Sequence, residues 1–364
     1  MLLTRAEFIR GAIAMGALLA LKKTALAQES SESLLPPRTL GGAAPAPGEK
    51  GAVVTALAMH PTEKRLASAG DDHEVRLWDL DQGSVLRSLA GHTDWVRAVA
   101  YSPDGLALVS AGNDRKLITW QADNGDRQRT IELPLSGIAG LEFHPAGGTL
   151  AVVGFQAEVL LLDARTMEVA AKLPAPSTDV RAVKFSRDGR FLAVGGRDGV
   201  LRSWNLTQES APVDMTGHTG RVRGLAFADD SSALFSAGED GSLRMAKTGV
   251  AGPSELFAAV SCKLQSLCRV GDRFLAAGGS DNLIHLWDMG TRQEIEPLTG
   301  HTGSVAALCC GTTTLASGGF DAAVRLWDLA DVLPEGPANA AVAVPGIGTG
   351  PAFSTSSAPA EFGK

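Results

Sequence analysis

Hydrophobic and polar positions alternate with a period of two along most of the chain, in short runs separated by turn residues. Ala52 to Met59 alternates, Pro61-Thr62-Glu63 interrupts it, and Leu66-Ala67-Ser68-Ala69-Gly70 follows. Asp71-Asp72 then turns the chain into Val75-Arg76-Leu77-Trp78-Asp79, and Ser84 to Leu89 completes the group before Gly91-His92. Successive side chains of a strand face opposite ways, so this pattern predicts four short antiparallel strands. Ser102-Pro103-Asp104-Gly105 and Ser186-Arg187-Asp188-Gly189 predict tight turns between first and second strands, where Gly and Asp relieve the backbone cost. No apolar stripe of helical period appears after residue 27.

The group recurs. Trp78, Trp120, Leu162, Trp204, Ala246, Trp287 and Trp327 stand in one register, at intervals of 42, 42, 42, 42, 41 and 40 residues. Five of the six Trp fall in it, so Leu162 and Ala246 read as degenerate members of the same series. Self-similarity at this period is the signature of a ring of blades. Within it, Gly91-His92, Gly217-His218 and Gly300-His301 resemble the GH dipeptides of the WD40 family, and Trp78-Asp79, Trp287-Asp288 and Trp327-Asp328 resemble its WD dipeptides. The resemblance covers residues 38–333 and implies an all-β, seven-bladed WD40 β-propeller with four antiparallel strands per blade.

It also implies structural tetrads that join the GH His, a Ser or Thr, a turn Asp and the Trp. Carried over, His92–Ser110–Asp114–Trp120 and His301–Ser317–Asp321–Trp327 are complete, whereas His218–Ser236–Asp240 meets Ala246 in place of Trp. A buried Asp needs donors, and imidazole and hydroxyl supply them, so these groups are expected to fasten blades rather than to do chemistry. Blade three lacks the set: Gln156 and Leu162 replace Asp and Trp, and Val159-Leu160-Leu161-Leu162 suggests apolar burial instead. Blade four has Val194 in the Ser position, and blade six has Ala277 and Ser261 where Ser and His belong.

Blade seven shows three strands, and an open edge is an aggregation hazard. Family members close the ring with an N-terminal segment, and Arg38-Thr39-Leu40-Gly41-Gly42 matches the Arg87-Ser88-Leu89-Ala90-Gly91 segment in type. Ala340-Ala341-Val342-Ala343-Val344 is the rival, and the N-terminal segment is favoured because it falls just before blade one. The family's partner contacts gather on the narrow upper face, which implies Trp95, Arg97, Arg181, Arg221 and Arg223 there, with Phe155, Arg197 and Phe320 at the position before the turn Asp. Arg and Trp are the types most enriched at binding hot spots. The competing expectation is that these Arg pair with Asp179, Asp229 or Glu239 and merely solvate the rim.

Composition narrows the function. Net charge is −7, which gives no reason to expect nucleic-acid binding. Cys262, Cys268, Cys309 and Cys310 make no C-x-x-C pair, haem motif or zinc spacing, so no metal or cofactor is expected and the four read as small buried apolar residues. No G-x-S-x-G, H-E-x-x-H or G-K-[ST] phosphate loop occurs; Gly346-Ile347-Gly348-Thr349-Gly350 lacks the flanking strand and helix of a nucleotide site. Arg5 and Arg10, the apolar run Gly11 to Leu21 and Ala25-Leu26-Ala27 predict an export signal over 1–27, resembling a twin-arginine signal with Ala6 in place of the second Arg. An uncleaved signal would anchor the chain to the inner membrane; otherwise no membrane span is expected. Residues 28–37 read as a linker, and 334–364, rich in Ala, Pro, Gly and Ser, as a disordered tail. The expectation is therefore a monomeric ring, exported to the periplasm, acting as a scaffold that binds an acidic or amphipathic protein segment. An assembly or maturation factor for envelope proteins is the alternative, and an enzyme with a site in the central channel is the less favoured one.

Overall fold

The second strand of each unit reads as an almost unbroken apolar run, and this places it between neighbouring sheets, buried on both faces. In the computed structural model, which describes residues 37–41 and 51–334, Arg65–Gly70, Ala107–Gly112 and Thr149–Gly154 are each buried beyond their first residue. The outermost strands, such as Arg127–Glu132 and Val169–Pro174, are almost wholly exposed. Seven antiparallel sheets form, each running from its first strand inside to its fourth outside. The chain is all-β in this sense; a single-turn helix, Leu329–Val332, follows the last strand. No helix among the described residues is long and apolar enough to cross a membrane. The features expected over 1–27 and in the tail from 335, and most of the 28–37 linker, lie outside the described residues.

Burial runs from sheet to sheet. Leu77 and Val75 of blade one pack with Val96, Val99 and Ile118 of blade two, and Leu117 and Ile138 continue the contact into blade three. Blade three holds by apolar burial: Val159, Leu160 and Leu162 are fully buried in two such clusters, where the polar network is missing. All seven register residues from Trp78 to Trp327 are buried.

The ring closes through the N-terminal segment. Arg38–Leu40 pairs antiparallel with Val324–Asp328, with Arg38 opposite Leu326, Thr39 opposite Arg325 and Leu40 opposite Val324. Leu40 enters a cluster shared by Val54, Leu66 and Trp78 of blade one and Ala316, Val324 and Leu326 of blade seven. Arg38 reaches across to the carbonyls of Leu80 (2.7 Å) and Asp81 (2.8 Å). Gly41 adopts φ +71° against Trp78, and a Cβ there would lie 2.6 Å from the indole, so the chain turns past the ring only because no side chain is present. One element departs from four strands per blade. Gly252–Pro253 leaves blade five and pairs in parallel with Val213–Thr216 of blade four.

The first strand of every blade carries the same irregularity. Pairing with the second strand slips by one residue between Val54 and Ala56, Val96 and Ala98, Ile138 and Gly140, Val180 and Ala182, Val222 and Gly224, Leu264 and Ser266, and Val305 and Ala307. A bulge leaves one residue unpaired and re-aims its side chain. Those residues are Thr55, Arg97, Ala139, Arg181, Arg223, Gln265 and Ala306, and they ring one end of a central channel of about 700 Å³ lined by the first strands.

Candidate protein-binding face

Two kinds of polar group border this face, and proton counting separates them. In blade two, His92 Nδ1 lies 3.0 Å from Asp114 Oδ2, His92 Nε2 lies 2.8 Å from Ser110 Oγ, and Trp120 Nε1 donates to Ser110 Oγ at 2.8 Å. Burial lowers the His92 pKa against the pull of Asp114 and keeps the imidazole neutral. Its one proton then belongs on Nδ1, facing the carboxylate, so Nε2 accepts from the Ser hydroxyl, which in turn accepts from the indole. Every donor of the set has its acceptor, and Asp114 also accepts from the Thr93 and Lys116 amides. The same geometry recurs at His301, Ser317, Asp321 and Trp327, with distances of 2.8 to 3.0 Å. At His218, Ser236 and Asp240 the indole is missing, and Ser242 Oγ adds a bond of 2.8 Å to the Asp. Burial opposes ionisation of Asp240, yet the Thr219 and Ser242 amides, the Ser242 hydroxyl and His218 together hold its carboxyl down to about 2.

Three features of this frame escaped the sequence reading. Blade one keeps part of the network, with Trp78 Nε1 on Ser68 Oγ at 2.8 Å. His60 and His144 each pin a blade to the next one: Nε2 reaches Gly105 O (3.0 Å) and Gly189 O (3.1 Å), and each ring stands edge-on to Tyr101 or Phe185. The His-Pro following a first strand, facing an S-x-D-G turn one repeat later, was the available signal. In blade six, His285 projects from the third strand, Ile284–Asp288, onto the turn residue Asp281 (3.1 Å) and so supplies the imidazole that the preceding loop lacks. Burial disfavours its charge, but Cys262, Glu294 and Asp281 raise its pKa to about 9.

The second kind of group is the arginine set. Arg97, Arg181 and Arg223 are bulge residues of blades two, four and five, which aims all three at the channel mouth. Arg181 pairs with Asp179 and lies over the Phe155 ring, its guanidinium carbon 4.6 Å from the centroid. Phe155 is therefore half-buried under Arg181 rather than a free apolar knob. Arg221 bridges Asp179 (3.0 Å) and Glu239 (3.1 Å), and Arg223 shares Glu239 at 2.7 Å. The expected pairing with Asp179 and Glu239 is thus present, whereas Asp229 binds Arg187 and Arg269 instead. Arg197 is exposed and takes no part in these bonds. Arg97 differs from the rest: its Nε donates to the neutral Asn113 Oδ1 at 2.7 Å, and it has no carboxylate partner among the described residues. Burial first, then Arg181 and Arg223, push its pKa below the ordinary value. Trp95, 42% exposed, lies beside it, with the Arg97 guanidinium 4.9 Å from the ring centroid. Phe320, 59% exposed, is the large apolar residue contributed by blade seven.

The frame that presents these residues is matched by a known family. Comparison with protein families identifies WD domain, G-beta repeat, over residues 45–79, 83–121, 167–205, 212–245 and 292–328, about half of the chain. The chain belongs to the WD-repeat family. The match passes over blades three and six, which the structure nonetheless builds as complete blades of this propeller. Similar proteins include a Lissencephaly-1 homolog of Monosiga brevicollis, 44% identical over 46 residues, 13% of this chain and 11% of that protein. A U3 snoRNP-associated protein-like EMB2271 of Arabidopsis thaliana is 51% identical over 37 residues, 10% of this chain and 8% of that one. The chain thus spans about a tenth of the length of the curated relatives it matches, roughly one blade. WD-repeat propellers are interaction folds, and family membership gives this chain that general role of scaffolding protein contacts.

Proposed function

We propose that this propeller binds an acidic protein segment at the channel mouth formed by Arg97, Arg181 and Arg223, with Trp95 as the apolar anchor. Arg97 carries the reading. It is a half-buried guanidinium with only a neutral partner among the described residues, repelled by two further arginines, and an incoming carboxylate would relieve that repulsion. Asp179 and Glu239 neutralise part of the charge and fix Arg181, Arg221 and Arg223 in place, so the mouth is pre-organised rather than floppy. The remaining proposal concerns place: the Arg5–Arg10 flank, apolar run and Ala25-Leu26-Ala27 favour export to the periplasm, where the client would be an envelope protein. Amino-terminal sequencing of the protein from a fractionated producing cell tests this, and an intact Met1 in the soluble cytoplasmic fraction would overturn it.

Fluorescence polarisation with labelled Glu/Asp-rich and Lys-rich peptides tests the binding reading. The acidic peptide should bind, more weakly as salt rises, and Trp95→Ala with Arg97→Ala should weaken it about tenfold or more, as for hot-spot residues. Equal binding of both peptides, or affinity unchanged in the folded double variant, would place the site elsewhere.

A further inference from the structure

Blade six brings together a set of side chains that neither the tetrads nor the binding face uses. Cys262 comes from the loop before the blade, Asp281 from the turn after its second strand, and His285 from its third strand. One ligand-type atom from each lies within 4.8 Å of the others. His285 Nε2 is 3.6 Å from Cys262 Sγ and 3.1 Å from Asp281 Oδ2, while its Nδ1 faces Glu294 Oε1 at 2.6 Å. With both nitrogens protonated, Nδ1 donates to Glu294 and Nε2 to Asp281, so the ion-free cluster is an imidazolium between two carboxylates with Cys262 Sγ beside it. Once Nε2 gives up its proton, that nitrogen, an Asp281 oxygen and the Cys262 sulfur are three ligand atoms close enough to share one cation.

We propose that Cys262, Asp281 and His285 bind a zinc ion, with Glu294 as the second carboxylate that orients the imidazole. The spacing fits. Tetrahedral zinc with bonds of about 2.3 Å to sulfur and about 2.0 Å to nitrogen or oxygen separates S from N by about 3.5 Å and N from O by about 3.3 Å. The observed 3.6 and 3.1 Å need no rearrangement of the backbone. A carboxylate on the far nitrogen of a ligating His is the common arrangement around zinc and raises the ligand's basicity. Gly279 makes room: a Cβ there would sit 2.2 Å from Asp281 Oδ1 and 3.1 Å from Cys262 Sγ. Access comes from the Asp281 side, whose side chain is 34% exposed while that of His285 is 7% exposed. Three protein ligands leave the fourth position to water or to a group from a partner. On binding, the Cys262 thiol proton and the His285 Nε2 proton both leave to solvent, and the thiolate becomes the soft ligand. The ion would tie the loop before blade six to its turn and third strand, the connection that the GH His makes in blades two, five and seven. The ligands escape spacing rules because they are 19 and 4 residues apart, on a loop, a turn and a strand.

The test uses the full chain, stripped with chelator and titrated with zinc, then with cobalt as a coloured substitute. One equivalent of each should be retained through gel filtration, and bound cobalt should show a thiolate charge-transfer band that Cys262→Ser abolishes. Glu294→Gln should weaken zinc 10- to 100-fold, the usual loss when such an orienting carboxylate is removed. Thermal unfolding in chelator, alike for wild type and Cys262→Ser, shows that the variant is folded. Retention below one equivalent, cobalt bound without the band, or a band unchanged in Cys262→Ser would overturn the site and leave the cluster a plain ion pair.

Discussion

Leu40→Ala tests whether the ring is closed by its N-terminal strand. The side chain is 3% exposed and touches two blades that are not consecutive in the chain, with Val54, Leu66 and Trp78 on one side and Ala316, Val324 and Leu326 on the other. Both sides belong to fixed sheets, so neither can move in to fill the space, and truncation should cost about 2–5 kcal/mol. For a ring of this size each kcal/mol shifts the melting temperature by about 2 °C, which gives a fall of about 4–10 °C. Deleting residues 28–42 should do more, because it also removes the three paired residues and the Arg38 bonds to Leu80 and Asp81. It bares the edge of Val324–Asp328 as well, so the deleted protein should aggregate on unfolding at concentrations the wild type tolerates. Deleting 338–364, which removes the rival segment Ala340–Val344, should leave the melting temperature in place. Thermal unfolding followed by tryptophan fluorescence reads all three, since Trp78 sits against Leu40 and Gly41. A Leu40→Ala protein melting with the wild type, or a 338–364 deletion that melts lower than the N-terminal one, would refute the reasoning.

Ser110→Ala leaves both Trp120 Nε1 and His92 Nε2 without their partner in a buried site and should cost about 2–4 kcal/mol by urea denaturation, whereas Ser110→Thr should recover most of it. A loss below about 0.5 kcal/mol would mean that the hydroxyl does not join the two rings. His60→Ala removes the bond to Gly105 and the contact with Tyr101, and a fall of about 1–3 kcal/mol is expected; no fall would show that the inter-blade pin contributes nothing. Acid should weaken the ring in two stages. His92 and His218 are held neutral below the ordinary His value, so the unfolded chain takes up their protons first and stability declines as pH drops from about 6.5. Asp240, at about 2 against 3.8, contributes about 2 kcal/mol that is present above pH 4 and lost as pH falls through 2. Melting temperatures that stay flat from pH 6.5 to 5 in the wild type, or that decline as much in His92→Phe with His218→Phe, would contradict this assignment.

The fold was legible because the period is set by one geometric requirement, a buried residue at the same place in every third strand. That requirement holds for Leu162 and Ala246 as well as for Trp, which is why the register survives two substitutions. The tetrad partners could be found because the Ser and Asp sit at fixed offsets from the Trp position and the His is marked by the Gly before it. The closing strand was legible from Arg38 to Gly42 because it repeats the outer-strand pattern of Arg87 to Gly91. What could not be read was any contact that depends on a displaced side chain. His285 lies in a third-strand position that is Ile118 in blade two and Arg325 in blade seven, so no spacing rule links it to Asp281 and Cys262. Register alone puts Phe155 before the turn position, and only the structure shows Arg181 lying over its ring. The Gly252–Pro253 crossing to blade four leaves no pattern at all, since two parallel residues carry no periodicity.

The contrast between frame and content is what singles out the channel mouth. Seven bulges are imposed by the ring, because each first strand must bend at the same place to face the axis. Stability asks little of the side chain there: Thr55 uses its hydroxyl on the Val96 carbonyl at 2.6 Å, and Ala139 and Ala306 make no polar bond. Small residues would serve at every bulge. Placing arginine at three of the seven adds mutual repulsion and a burial cost to Arg97 and Arg223 that no part of the ring's closure requires. Asp179 and Glu239 offset part of that cost by direct pairing in blades four and five, whereas Arg97 faces Asn113 and feels Asp94 and Asp179 only at a distance. An arrangement selected for folding alone would have put a carboxylate at Asn113, as blade five does with Glu239 in the same register. Asn113→Glu should therefore stabilise the free ring slightly and abolish binding of an acidic segment, a pairing of effects that a purely structural role for Arg97 does not produce.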